Sequence, residues 1–299
     1  MKKSYTISPE LLGIRKNKPL KKSHEKAWIQ TLIIVFVTFC TLFSLLPLLI
    51  TIINSTRTYD AVQASAFGWP QASTFFQAIG ENYSAAWNAV KEAFGRTILA
   101  AIIGSFCTTA LSAALAYIIC FKEFYFKNFV FMLFITVLLV PSIIGYPILT
   151  PLVRNTFKLN DQIAGLLIPI IGGNQVGGMF LMRTFFSQQP KSIYESARME
   201  GANDVKIFFK VTIPLALPII LYYAVGCFSG IYNEFLWASL ILDKNMTIVN
   251  QMYSLVNSGE IGYSNMYAMY IIASLPLVVT TIISLRYFRS GEFAAGLKL

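Results

Sequence analysis

Late in the chain, inside a long apolar stretch, Tyr232, Asn233, Glu234, Phe235 and Trp237 gather an amide, a carboxylate and three aromatic rings. Polar groups at membrane depth are costly and mark solute pathways, so these five are candidates for a substrate path. They can equally hold helices together, or sit near the outer interface in an aromatic belt. Bond-breaking chemistry has little to work with. The run Gly172–Gly178 lacks the Lys-Ser/Thr ending of a phosphate-cradling loop and follows no predicted strand, so it reads as a flexible or tightly packed piece of helix. His24 is the single histidine and lies among lysines, which suits a solvated tail residue. Ser/His/Asp chemistry would have to be built from it, and no paired acid/base constellation occurs. Cys40, Cys107, Cys120 and Cys227 fall in apolar stretches without metal-ligand or disulfide spacing and read as small buried hydrophobes. No catalytic residue and no metal site is expected.

A second group of residues is suited to docking. Between Pro190 and Pro218, Ser192 can cap a short helix through Arg198, with Glu195 at the third helical position as in a capping box. Gly201 then ends that helix as a C-terminal cap. A further helix follows with Val205, Phe208, Phe209 and Thr212 on one face, and Pro214 opens the next apolar stretch. Tyr194 and Met199 share one flank of the first helix. Such a helix fits a groove of a cytosolic partner, or rests on lipid at the interface.

The elements that must position these residues are apolar and long. Apolar residues make up 56% of the 299-residue chain and charged residues 13%, against roughly a quarter charged in soluble domains. Thirty consecutive residues, Ala27 to Thr56, carry no charge, and spanning the hydrocarbon takes roughly 20. Six spans are expected: about Ala27–Ile53, Thr97–Phe121, Asn128–Val153, Gln162–Met182, Ile213–Ile241 and Asn265–Leu285. The basic region before the first is 26 residues long and the apolar run exceeds that of a signal peptide, so an uncleaved helix is expected. Small residues in the second span (Ala100, Ala101, Gly104, Ser105, Ala110, Ala113, Ala114) suit close helix approach. The polar stretch Asn54–Gly95 with its aromatics reads as an external segment that caps the bundle or docks a partner.

Lysine and arginine counts orient the chain. The tails and the loops sharing their side carry 18 basic residues, the opposite side 6, so both termini are expected in the cytoplasm. The net charge of +10 thereby has a topological origin, with attraction to anionic lipid as a further consequence, and nucleic-acid binding is not needed to explain it. The chain divides into a cytoplasmic tail (1–26), a first transmembrane helix (27–53), an external loop (54–96), a core domain of five helices (97–285) with the loop 183–213, and a cytoplasmic tail (286–299).

The 190–218 segment resembles the EAA loop of ABC importer permeases, Glu-Ala-Ala-x-x-Asp-Gly-Ala followed by a Phe and then Pro-Leu-x-x-Pro. The match lies at Glu195, Ala197, Gly201, Ala202, Phe208, Pro214, Leu215 and Pro218, with departures at Ser196 and Glu200. Asn233-Glu234-Phe235-Leu236-Trp237 is similar to the Trp-Asn-Glu-Phe-Leu-Trp stretch of the MalG-type carbohydrate branch, with Tyr232 in place of its first Trp. The ending Arg286-Tyr287-Phe288, Gly291 and Ala294-Ala295-Gly296 resembles that branch's C-terminus. The resemblance implies an all-α, six-helix type I importer permease carrying a carbohydrate, in particular an oligosaccharide. It further implies a homologous permease partner, two ATPase subunits holding ATP and Mg, and an external binding protein. Tyr194, Glu195, Ala197, Glu200, Gly201 and Ala202 would then couple the permease to the ATPase. Competing readings are an ABC permease for a peptide or amino acid, and a stand-alone secondary transporter. Against the latter, Glu234 is nearly the only charge inside the spans.

Overall fold

The computed structural model describes residues 27–289, with side chains over 28–285. The tails, with His24 and the Gly291 and Ala294–Gly296 positions, lie outside the described residues, as do the side chains of Arg286, Tyr287 and Phe288. Every regular element among the described residues is helical. Four helices are long and apolar enough to cross a membrane, or six if each of two bent pairs is one span.

The uncharged N-terminal run folds as α1, Ala27–Ser55, about 43 Å long at 1.5 Å per residue. As far as Ile50 it forms one compact unit, and the chain from Thr51 on forms another. Its side chains from Trp28 to Leu49 are exposed and mostly apolar, the surface expected in contact with lipid. After α2 (Tyr59–Ala64) comes α3, Phe75–Phe121, a single helix of 47 residues. The expected second span begins only at Thr97, so much of the segment read as an external loop is helical. The reason is physical: Arg96 marks where the charge-free apolar run begins, not where the helix begins, and no proline interrupts residues 75–121.

The third span is broken. Helix α4 (Lys127–Leu139) stops before Pro141, which has no N–H to donate; a 3-10 turn, α5 (Tyr146–Pro151) and a π turn (Leu152–Thr156) follow at 92° to α4. Helix α6 (Ile163–Ser187) runs through Pro169 and is succeeded by α7 (Lys191–Met199) and α8 (Asp204–Ile207). A π turn (Phe208–Thr212) and α9 (Ile213–Leu215) then lead to an 80° bend. The fifth span bends there, between α9 and α10 (Leu217–Tyr232), with Pro214 in the short helix before the bend. It breaks at 233–235 and resumes as α11 (Leu236–Ile241). Helix α12 (Ile248–Ser258), unanticipated from sequence, ends at Gly259 with φ +72°; α13 is Tyr263–Arg289.

Helix α3 is the spine on which α6, α10, α12 and α13 pack. Its buried face carries Ala100, Ala101, Gly104, Ser105, Thr108, Ser112 and Ala113, whereas Ala110 is exposed and Ala114 half-buried. A Cβ at Gly104 would stand 2.6 Å from Ile231 Cδ1 and 2.9 Å from Leu167 Cδ2, so glycine is what lets three helices meet there. One apolar cluster, around Trp237, Tyr232, Leu166 and Met269, fills the α12 end of the bundle. A second, around Phe186, Met182, Tyr194 and Ile207, fills the α7 end.

Candidate functional site

At the α7 end the chain builds a short helix with a buried base and an exposed face. Pro190 occupies the N-cap with φ −60°, and no side chain caps the helix, so Ser192 does not have the expected capping role. Pro190 has an extended ψ of 122° and the helix begins at the next residue, so the capping box of Ser192 and Glu195 is not its starting device. The C-terminus forms as expected. Gly201 adopts φ +78°, its N–H donates to Arg198 O at 3.0 Å, and the Ala202 N–H donates to Ala197 O at 3.0 Å. Those two bonds are the Schellman pair.

Tyr194 and Met199 do not share a flank. Tyr194 is buried, its ring centroid 4.2 Å from that of Phe121 at the end of α3, and its hydroxyl donates to the Gln189 side-chain carbonyl. Met199 is 89% exposed. Helical spacing places positions five apart about 140° apart in angle, enough to send one inward and the other out. Ala197 and Ala202 are half-buried against the same cluster as Tyr194, while Glu195 and Glu200 are exposed.

The following segment also departs from the expected face. Val205 and Phe209 are 65% and 63% exposed, and the inward residues are Ile207 and Thr212 with Phe208 and Val211 beside them. The π turn explains this: its i→i+5 closure inserts one residue and shifts the register, and the Thr212 hydroxyl reaches back to Ile207 O at 3.4 Å. Asn203 caps α8 by accepting the Lys206 N–H at 2.9 Å.

Asp204, which no sequence motif singles out, is the hub of this end. Its carboxylate accepts from Lys122 Nζ and from the Tyr117 hydroxyl at 3.4 Å, both on or just after α3, and lies 3.9 Å from Arg198 of α7. The hydrogen bond from Lys122 holds this carboxyl below the usual carboxylate range, against a smaller opposing effect of burial. Lys122 and Asp204 are 82 residues apart, so spacing carries no signal of the pair.

The second constellation lies at the helix breaks. A cavity of about 590–610 Å³ opens on each side of the 233–235 break. The larger is lined by Val140, Pro141 and Tyr146 from the broken third span, Gly173 and Asn174 from α6, and Glu234 and Trp237 from the fifth. Both interrupted spans thus face one space, which is where irregular backbone at membrane depth is tolerated. Glu234 is half-buried there, and one carboxylate oxygen accepts the Trp237 N–H at 2.9 Å, capping α11.

The five sequence candidates divide accordingly. Glu234 and Trp237 line the cavity. Trp237 is otherwise packed in the core, donating from Nε1 to Leu166 O at 3.2 Å beside the Tyr146 ring. Tyr232 is buried away from the cavity and donates to Ala273 O at 2.8 Å, the helix-tying alternative. Asn233 is exposed and donates to Ser229 O of its own helix at 2.9 Å. Phe235 lines the other groove, 5.1 Å from the Tyr253 ring, with Asn250 and Asn257 nearby. A helix of sequence period can group these five only while it is continuous; the break separates them.

Beyond the breaks, Asp161 clamps the loop after α11. It accepts the N–H groups of Asp243, Lys244 and Asn245 at 3.1, 2.9 and 2.8 Å, and Arg154 reaches Asp243 at 2.5 Å. Burial works to raise the Asp161 pKa, but the three amides outweigh it and hold the carboxyl below its usual range.

The profile of the family described as "Binding-protein-dependent transport system inner membrane component" matches residues 109–291, from the last third of α3 to beyond α13. The chain belongs to this family. The permease is 25% identical over 285 residues to the arabinooligosaccharides transport system permease protein AraQ of Halalkalibacterium halodurans, covering 93% of this chain and 99% of that one. It is 24% identical over 241 residues to the diacetylchitobiose uptake system permease protein NgcG of Streptomyces coelicolor, covering 79% and 78%. With the inner membrane ABC transporter permease protein YcjP of Escherichia coli identity is 28% over 158 residues, spanning 52% of this chain and 56% of YcjP. A crystal structure of a bacterial ABC transporter involved in import of the acidic polysaccharide alginate contains a chain that superposes with a TM-score of 0.76 at 20% identity, over 91% of this permease and all of that chain. The permease is therefore an all-α, multi-pass membrane subunit of a transport system, noncatalytic itself and working with other components of an ABC importer.

Proposed function

We propose that this permease carries a carbohydrate, in particular an oligosaccharide, delivered by an external binding protein, and that α7 is the helix gripped by a separate ATPase. In this reading a homologous permease completes the pathway, two ATPase subunits hold ATP and Mg, and both termini lie in the cytoplasm of a plasma or inner membrane. The observation that carries the reading is the division of labour on α7. A helix lying on lipid turns its apolar face to the bilayer. Here the apolar residues Tyr194 and Ala197 are used against the permease's own bundle, and the face left over mixes apolar Ile193 and Met199 with the carboxylates Glu195 and Glu200. That face suits a protein groove. Closure of the ATPase pair shifts the bundle only if α7 fits the two states differently.

The cargo class rests on the relatives named above, which handle arabinooligosaccharides and diacetylchitobiose, and on the cavity. Its walls offer the half-buried Tyr146 ring beside the Glu234 and Asn174 polar groups. Rings meet the C–H faces of sugars and polar groups meet their hydroxyls. The test is affinity purification from the native membrane, followed by uptake of labelled arabinotriose, diacetylchitobiose, maltose and a tripeptide. An ATPase and a second permease should co-elute, and a sugar should be the transported solute. Purification alone, or uptake of the tripeptide and no sugar, would overturn the reading.

A further inference from the structure

Both ends of α7 are fastened to the same turn of α3. Near its start, Tyr194 stacks on Phe121 at 4.2 Å between ring centroids. Near its end, Arg198 lies 3.9 Å from the Asp204 carboxylate, which in turn holds Lys122 and, at 3.4 Å, the Tyr117 hydroxyl. The first fastening is an aromatic contact within the apolar cluster. The second crosses a four-residue connection, 200–203, whose glycine has φ +78° and open space where a Cβ would be. Without the carboxylate, two cations would face each other across that turn, and α7 could swing on Gly201 while α3 stayed still.

What α3 does with a push follows from its length. It is unbroken from Phe75 to Phe121, while the third and fifth spans are both interrupted. Midway along it, Gly104 seats Ile231, which lines the cavity between the helix breaks. An uninterrupted helix is the element able to carry displacement from one end of the bundle to the other.

We propose that Asp204 is the positioning residue through which movement of α7 is passed to α3. The proposal rests on the reading of α7 as the ATPase-gripped helix. It assigns to Asp204 transmission, not grip: the carboxylate is turned toward Lys122 and Arg198 of its own chain.

The test uses the purified full complex, with ATPase subunits, and reads hydrogen exchange with and without ATP plus vanadate, so that no cargo is required. In the unaltered complex, trapping the ATPase should change exchange in α7 and also in the extramembrane half of α3, residues 75–96. In Asp204→Asn the change at α7 should persist, while that at 75–96 should fall by at least roughly fivefold, the lower bound of usual coupling factors. Asp204→Glu should restore it, and Lys122→Gln should reproduce the loss. Lys206→Gln, an exposed cation on α8, should behave as the unaltered complex does. A merely structural role would alter α7 and residues 75–96 together, in both nucleotide conditions. Should Asp204→Asn fail to assemble, Lys122→Gln and Asp204→Glu decide. Transmission undiminished in Asp204→Asn or Lys122→Gln overturns the proposal alone. An unaltered chain that purifies without any ATPase overturns the functional reading, and this inference with it.

Discussion

Gly201 is a position where space and backbone disagree. Nothing lies within 4 Å of where its Cβ would stand, yet φ is +78°, a conformation costing an L residue about 1–2 kcal/mol. A β-branched side chain suffers most there and asparagine least. Gly201→Val should therefore unwind the end of α7 and abolish uptake, with the chain still present in the membrane; Gly201→Asn should retain most activity. Uptake in whole cells against immunoblotted membrane content checks both. Tyr194 and Met199 give the complementary pair. Tyr194→Ala removes a buried ring and should destabilise the permease by about 3–5 kcal/mol. Met199→Ala, at a residue 89% exposed, should leave thermal unfolding unchanged and weaken co-purification with the ATPase. The residue scale also marks where sequence stops being informative. Gly201 was legible because a C-terminal cap is a local requirement. The capping role assigned to Ser192 failed because the helix already begins at the residue after Pro190. Asp204 stayed invisible because its partner is joined to it only by the fold.

At the scale of elements, hydropathy finds the long apolar helices and places helix ends poorly. The six apolar stretches each contain a described helix, but α3 begins 22 residues before Thr97, the third and fifth stretches are broken, and α12 is not among the expected elements. Prolines within apolar stretches do not announce which of them breaks a helix. Pro141 follows a break, whereas Pro169 sits within the continuous α6, since packing decides whether freed carbonyls find partners. The glycines of α6 show the same dependence. A Cβ at Gly178 would run into Ser112 of α3 and Tyr223 of α10, while Gly172 and Gly173 have no neighbour within 4 Å. The two halves of one Gly-rich run thus have different duties. Gly178→Ala should lower stability by about 1–3 kcal/mol through overpacking of the three-helix contact. Gly172→Ala should be neutral or slightly stabilising. Thermal unfolding of the detergent-purified permease separates the two; equal effects would remove the contact as the reason for Gly178.

For the molecule as a whole, the charge asymmetry is the basis of the proposed orientation, and orientation decides which carboxylate meets a variable pH. In that proposed orientation the α7 end lies in the buffered cytoplasm, where Asp204 keeps its charge under ordinary conditions, and Asp161 faces the medium outside. The Asp161 carboxyl has its pKa depressed, because it must be ionised to accept strongly from the Asp243, Lys244 and Asn245 amides. The group that binds a proton more weakly when folded stabilises the fold at high pH. Its contribution is complete above the ordinary aspartate value of about 4 and is lost as pH falls from there through the depressed folded value. Lys244 is the charged group that acts on it, and its cation favours the ionised carboxylate. Acidifying the medium below about pH 4 should therefore release the loop 243–245 from the start of α6, while pH 5–8 should leave it fixed. Because the loop closes the end of α11, and α11 walls the cavity through Trp237, release should raise amide exchange over residues 240–248 before any change near α7. Asp161→Asn, neutral at every pH, should show raised exchange already at pH 7 and no further rise on acidification. Acid-induced exchange in that variant equal to the unaltered chain's would assign the transition to another group.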